Sequence, residues 1–226
     1  MRRILACLLS LTFLALPVRG AETKYVALTF DDGPSGKYTR ALLDGLYDRG
    51  VRATFVLCGY RMKEYPDITQ RIFDEGHEIA YHGYSHKTMK GMSRRDIAGE
   101  LMDSQTLLPE TCQPEFLRPP GGCCSDAVRQ VAQARNLAIL SWSVDPRDWA
   151  TRDAGAIETA VLEKIQDGDI VLLHDMTTSS VQAALDIVDT LLEDGFELLT
   201  VSELARLRNV KLKPGQVYTS FPPKEE

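Results

Sequence analysis

The sequence predicts an α/β fold: a parallel sheet with helices packed outside it, open or closed into a barrel. Three observations carry this expectation. Short β-rich runs recur seven times along the chain, with helical stretches between them. No low-complexity or Pro/Ser-rich linker divides residues 21–208, so the alternation belongs to one unit. Ionisable groups stand at or just past the ends of five of the runs, the carboxyl edge where folds of this class keep their chemistry.

The first run, 25–30, ends at Asp31-Asp32-Gly33-Pro34. A helix is expected over 39–48, where apolar residues recur at helical spacing and Gly50 acts as a stop. The second run is 53–57, and the third, 78–82, closes on His82. Ser93, with Asp96 after it, resembles a capping box for a helix running to Leu108. The fourth run, 115–118, closes on Arg118 before Pro119-Pro120-Gly121-Gly122, and Ser125 and Asp126 start the next helix. The fifth, 138–143, leads to Asp145. A helix over 157–165 precedes the most apolar run, 170–174, which ends on His174. Another helix, 181–192, leads to the seventh run, 197–201. The stretch 209–226, rich in Lys, Pro and Glu towards its end, is expected to be a loosely ordered tail.

Of the 226 residues 44% are hydrophobic and 26% charged, an ordinary globular balance, and the net charge is −6. An acidic chain does not gather nucleic acid or anionic lipid by its general field, and basic patches with interleaved aromatics are absent. No nucleic-acid partner and no stable membrane partner are therefore expected. Residues 1–20 have the form of a secretory signal: Met-Arg-Arg, an apolar stretch from Ile4 to Val18, and small residues before a cut after Gly20. The apolar stretch is shorter than the about 20 residues of a membrane span. A secreted or cell-wall-associated protein is expected, with an uncleaved anchor as the alternative. Cys7 lies in the signal. Cys58, Cys112, Cys123 and Cys124 lack the Cys-x-x-Cys spacing of a zinc ribbon, and in an exported protein Cys112 could pair with Cys123 or Cys124.

His82 and His86 are four apart, a spacing that on a helical turn puts both imidazoles within reach of one metal ion. An isolated pair is more often structural. The chain holds only four histidines, however, and a third, His174, closes another strand. His77-Glu78 does not complete a zinc-protease motif, because position 81 is Tyr81. Asp31 and Asp32 leave their strand in different directions, so one is free to bind a metal while the other holds a proton; Asp-Gly and Gly-Pro are equally common turn dipeptides. Adjacent aspartates cannot flank a glycosidic bond, which needs carboxyl groups roughly 5–10 Å apart. Asp145 and Asp148 are each placed to orient His174 or raise its pKa. Arg118 is either a surface charge at a rigid turn or the partner that holds a carboxylate ionised.

Together, Thr29-Phe30-Asp31-Asp32-Gly33, the segment from His82 to His86, Arg118-Pro119-Pro120-Gly121, Asp145 to Asp148-Trp149, and Leu172-Leu173-His174 resemble the polysaccharide deacetylase domain (NodB homology, carbohydrate esterase family 4). The blocks occur in family order across about 150 residues. The resemblance implies a distorted (β/α) barrel of about seven parallel strands over 21–208 and metal-dependent removal of acetyl groups from N-acetylated sugars. It implies Asp32, His82 and His86 as ligands of a divalent metal, zinc first and cobalt or nickel next. It makes Asp31 the general base and His174 the general acid, with Arg118 steadying Asp31 and Asp145 tuning His174. Trp149 and Leu172 would line the slot for the acetyl methyl, and a backbone N–H near Gly121 would face the oxyanion. The expected substrate is an N-acetylglucosamine-type polymer, peptidoglycan first and chitooligosaccharide next, acted on by a monomer. An O-acetyl esterase, or a carbohydrate-binding protein without turnover, are the alternatives. Two positions depart from the family pattern: Gly83 replaces a Ser or Thr that braces the loop between the histidines, and Gly121 replaces a Tyr or Phe.

Overall fold

The structure, a computed structural model, describes residues 22–224; the expected signal, its cut after Gly20 and Cys7 lie outside the described residues. The seven expected strands form as β1 (Lys24–Asp31), β2 (Thr54–Leu57), β3 (Glu78–Tyr81), β4 (Phe116–Leu117), β5 (Ala138–Leu140), β6 (Ile170–His174) and β7 (Phe196–Leu198). The order across the sheet is β6-β1-β2-β3-β4-β5, every ladder is parallel, and a short eighth strand, β8 (Val217–Tyr218), adds to β5. β7 pairs with the first residues of β1, Lys24 to Val26, and β6 with the rest from Ala27 onward. Past β5 the chain crosses to β6, where Val144 bridges Val171 and its carbonyl accepts from the Leu172 amide at 2.9 Å. The sheet thereby curls on itself into the distorted barrel.

The helices are α1 (Gly36–Asp48), α2 (Gly59–Glu64), α3 (Pro66–Asp74), α4 (Arg94–Gln105), α5 (Asp126–Ala134), α6 (Ala154–Leu162), α7 (Thr178–Glu193) and α8 (Val201–Leu207). Local chemistry sets most of their starts. The side chains of Ser35, Ser93, Ser125, Asp153 and Thr177 each accept a backbone N–H in the first turn of the helix they cap. Thr200 and Glu203 form a complete capping box, so Val201, expected to end the seventh strand, opens α8 instead. Among the described residues no helix is long and apolar enough to cross a membrane.

Side-chain parity divides each strand between two environments. On β1, Val26, Leu28 and Phe30 pack in the layer beneath the helices with Leu42, Leu46 and Ile187. Ala27 faces the barrel interior, in an apolar cluster with Val56, Ala80, Phe116, Ala138, Leu140 and Ile170, closed below by Val201 and Leu204 of α8. Continuing up the interior face of β1 are Thr29 and then Asp31 at the carboxyl rim. The same alternation on β6 sets Ile170 in the core, Leu172 above it and His174 at the rim.

Two expectations are corrected here. The stretch from 209 onward is not loosely ordered as far as it is described. Val217 and Tyr218 pair with β5, and Tyr218 and Phe221 are buried in the interior cluster. Two apolar aromatics in a polar-looking segment are enough to anchor it. Nor does Cys112 form a disulfide: Cys58, Cys112, Cys123 and Cys124 are all free thiols. Cys112 packs against the core cluster of β1 and Cys124 against a different one. Cys58 is wholly buried, and that desolvation pushes its pKa far up.

Candidate active site

Strand register assembles the site. Asp31, the last residue of β1, pairs directly with His174, the last of β6. Tyr81 ends β3 opposite Leu117 of β4, and the next residues are His82 and Arg118, whose backbone N–H donates to the Tyr81 carbonyl at 2.9 Å. Four ionisable groups from four strands therefore stand on one rim. Asp31, His82 and His174 open on a cavity of about 440 Å³ also lined by Asp32, His86, Gly121, Gly122, Trp142, Asp145, Trp149 and Leu172, while Arg118 lies buried behind it.

Asp32 Oδ1 lies 3.1 Å from His82 Nε2 and 2.9 Å from His86 Nε2. The expected helical turn is absent. His82 follows β3 and His86 sits in a loop with φ +58°, while Asp32 reaches them from a backbone at φ +73°. Such left-handed conformations are uncommon outside glycine and cluster at functional sites. His82 Nδ1 donates to the Arg118 carbonyl at 2.7 Å, which turns the Nε2 lone pair towards Asp32. Burial alone would raise the Asp32 pKa, but the two imidazoles outweigh it and hold the carboxyl far below the usual carboxylate range. Despite these short approaches, Oδ1 is buried with no hydrogen bond of proper geometry among the described residues. One carboxylate and two imidazoles, converging on an unsatisfied oxygen, fit a divalent metal ion.

Asp31 is clamped from below. Arg118 is wholly buried; its Nη1 donates to Asp31 Oδ1 and, at 2.9 Å, to Thr29 Oγ1, and its Nη2 donates to the Ser141 carbonyl at 2.8 Å. Of the two open readings of Arg118, the structure selects the buried partner of a carboxylate. Asp31 Oδ2 is left 3.8 Å from His82 Nε2.

On the opposite side of the cavity, Asp148 and not Asp145 stands against His174. His174 Nδ1 donates to Asp148 Oδ1 at 2.8 Å, and the His174 backbone N–H donates to Oδ2 at 2.9 Å. Asp145 spends its carboxylate on the Arg147 amide at 2.7 Å, closing a turn in which Arg147 takes φ +56°. That turn swings Asp148 inward, where it is fully buried. Burial disfavours a charged imidazole, but Asp148, with Asp31 and Asp32 behind it, raises the His174 pKa to about 9.

Comparison with known proteins decides the family. The model of the polysaccharide deacetylase family matches residues 19–140. The chain belongs to this family. It is 35% identical over 192 residues to a peptidoglycan-N-acetylglucosamine deacetylase of Bacillus cereus, covering 82% of this chain and 90% of that one. It is 34% identical over 211 residues to a chitooligosaccharide deacetylase of Sinorhizobium fredii, covering 92% and 94%. Among solved structures it is similar to a family 4 acetyl xylan esterase from Clostridium thermocellum in complex with cobalt, with a TM-score of 0.82 and 32% identity over 88% of this chain and 100% of that one. The chain spans only 39% and 42% of the length of other peptidoglycan deacetylases it matches.

As a member of the polysaccharide deacetylase family, the chain shows what its departure at Gly121 does. Gly121 leaves open space, since a Cβ there would meet no atom within 4 Å. The aromatic wall comes instead from Trp142, which packs on Gly122 and lies with its ring 5.6 Å from the Arg118 guanidinium carbon. Trp149 is 59% exposed at the rim, with the Arg147 guanidinium 5.2 Å from its ring centre. Leu172 is buried on the floor. Sequence reasoning missed Trp142. Carrying the alternation of Ala138 and Leu140 two residues on would have placed it on the interior face.

Proposed function

We propose that this chain is an exported, metal-dependent deacetylase that hydrolyses the N-acetyl group of N-acetylglucosamine-type sugars, with peptidoglycan as first substrate and chitooligosaccharide as second. The observation that carries it is the convergence of a metal-ligand triad, a clamped carboxylate and a charged histidine on one cavity. The relatives named for both substrates support the sugar class. The signal-like residues 1–20 support export.

Asp32, His82 and His86 would hold the ion, zinc first and cobalt or nickel next; bound there, it supplies polarisation of the acetyl carbonyl and acidification of water. Asp31 takes the proton of the attacking water as its oxygen bonds to the acetyl carbon. Arg118 holds the Asp31 side chain in place at the rim of the cavity. The backbone N–H near Gly121 faces the developing oxyanion, and Leu172 and Trp149 receive the methyl. As the C–N bond breaks, His174 delivers its Nε2 proton to the leaving amine, which departs neutral and leaves acetic acid; the proton Asp31 took from water then returns to His174 and restores both groups. Asp148 keeps that imidazole charged.

Acetate release from peptidoglycan and from chitooligosaccharide, by protein stripped of metal and resupplied with zinc, tests the reading. Zinc-dependent release is expected, and Asp31→Asn should lower it about 10²–10⁴-fold. Release from acetylated xylan alone would favour the ester reading, to which the Clostridium thermocellum relative lends support. Zinc binding with no release from any of the three would leave a binding protein.

A further inference from the structure

We infer that Glu100, on α4, is the positioning residue that sets the metal affinity of the His82–His86 loop; this rests on the metal-centre reading above. With glycine at 83 that position supplies no side chain to brace the loop, and from within it the Ser85 hydroxyl does so only by accepting the Lys87 N–H at 3.4 Å. Glu100 does so from outside. Its Oε2 accepts the backbone N–H groups of both Tyr84 and Ser85 at 2.7 Å, and its Oε1 accepts the Ser85 hydroxyl at 2.7 Å. From the other side the amides of Gly59 and Tyr60 donate to the carbonyls of Gly83 and Tyr84 at 2.9 Å. Gly83 itself takes φ +77°, and a Cβ there would come within 3.2 Å of Glu100 Oε2. The same Cβ would stand 3.1 Å from the Met89 methyl, so the space over Gly83 is closed by Met89 and the carboxylate together.

The two histidines depend on this brace unequally. His82 is buried, and its Nδ1 is held by the Arg118 carbonyl whatever the loop does. The His86 side chain is 41% exposed, and apart from Asp32 its ring makes no hydrogen bond or ion pair among the described residues. Its place is set by the backbone, and the last anchored groups before it are the Ser85 amide and hydroxyl, both on Glu100. Ligands are held in place by such outer contacts, whose loss typically costs about 10–100-fold in metal affinity.

The test is the zinc dissociation constant of the purified protein, read by competition with a chromophoric chelator, beside the melting temperature of the metal-free form. Glu100→Ala should weaken zinc binding about 10–100-fold, with turnover restored at excess zinc. Glu100→Asp keeps the charge but draws the carboxylate back by one methylene, and should weaken binding nearly as much. Glu100→Gln keeps an oxygen for both amides and should stay close to wild type. If Glu100→Ala does not fold, the Asp and Gln variants decide. Wild-type zinc affinity in Glu100→Ala or Glu100→Asp, with only the metal-free melting temperature lowered, would overturn the inference. So would loss in Glu100→Gln with retention in Glu100→Asp, because charge and not position would then be responsible. Wild-type protein that binds no zinc would overturn the metal-centre reading itself.

Discussion

His174 and Asp148 show how one contact settles a protonation state. The histidine is held above its ordinary pKa, at about 9, because the favourable bond to a buried carboxylate exceeds the cost of burying an imidazolium. The sign follows. A raised pKa keeps the proton available below about 9, and both the proton and the stabilisation from the pair are lost as pH rises through that value. The alkaline limb of kcat/KM should therefore lie near pH 9, displaced by whatever charge the occupied metal site adds. Replacing Asp148 with Asn should move that limb down by about one to two pH units and lower kcat, since an opposite charge at hydrogen-bond distance is worth that much. Asp145→Asn should leave the limb in place, because its carboxylate serves the Arg147 turn. The pH profiles of the two variants, measured side by side, separate the aspartates.

Among the elements, the C-terminal strand and its continuation do more than composition suggests. Phe221 is 2% exposed, its ring stacks at 5.4 Å on Tyr218, and its backbone N–H donates to the Gly168 carbonyl at 2.7 Å. The approach is so close that a Cβ on Gly168, at φ +92°, would stand 2.2 Å from the Phe221 carbonyl oxygen. Phe221→Ala should cost about 3–5 kcal/mol of stability, as other buried Phe truncations do, read as a lower midpoint in urea. Lys224→Ala, on an exposed residue just beyond, should leave the midpoint unchanged.

At the scale of the whole molecule, the candidate metal-ligand triad joins parts of the chain about 50 residues apart, with Asp32 after β1 and both histidines after β3. Anything that binds the folded arrangement and not the unfolded chain stabilises the fold by mass action, about 2.7 kcal/mol at a hundred times its dissociation constant. Zinc added to metal-free protein should raise the melting temperature by several degrees, and a chelator should reverse it. His86→Ala should abolish the gain while leaving the metal-free melting temperature close to wild type, since that side chain is part exposed and outside the core.

The strands and the residues at their ends were legible from local pattern. β-rich runs, helix starts such as Ser93 and Ser125, and polar groups closing apolar runs are all written within a few consecutive residues, whereas the Thr200 cap that turns Val201 into a helix start was missed. They pointed to a parallel sheet, open or closed, and to Asp31, Asp32, His82, Arg118 and His174; the family resemblance added the barrel. What the chain itself could not disclose depends on where distant segments meet. The choice of Asp148 over Asp145 turns on one left-handed residue, Arg147, and Glu100 reaches the His82–His86 loop from α4. Trp142 rather than residue 121 forms the aromatic wall, and Phe221 closes the core from the far end of the chain. Parity and capping are properties of neighbours in sequence and survive in the letters. A hydrogen bond or a packed ring joins neighbours in space, and those exist only once the sheet has curled and brought the loops onto one rim.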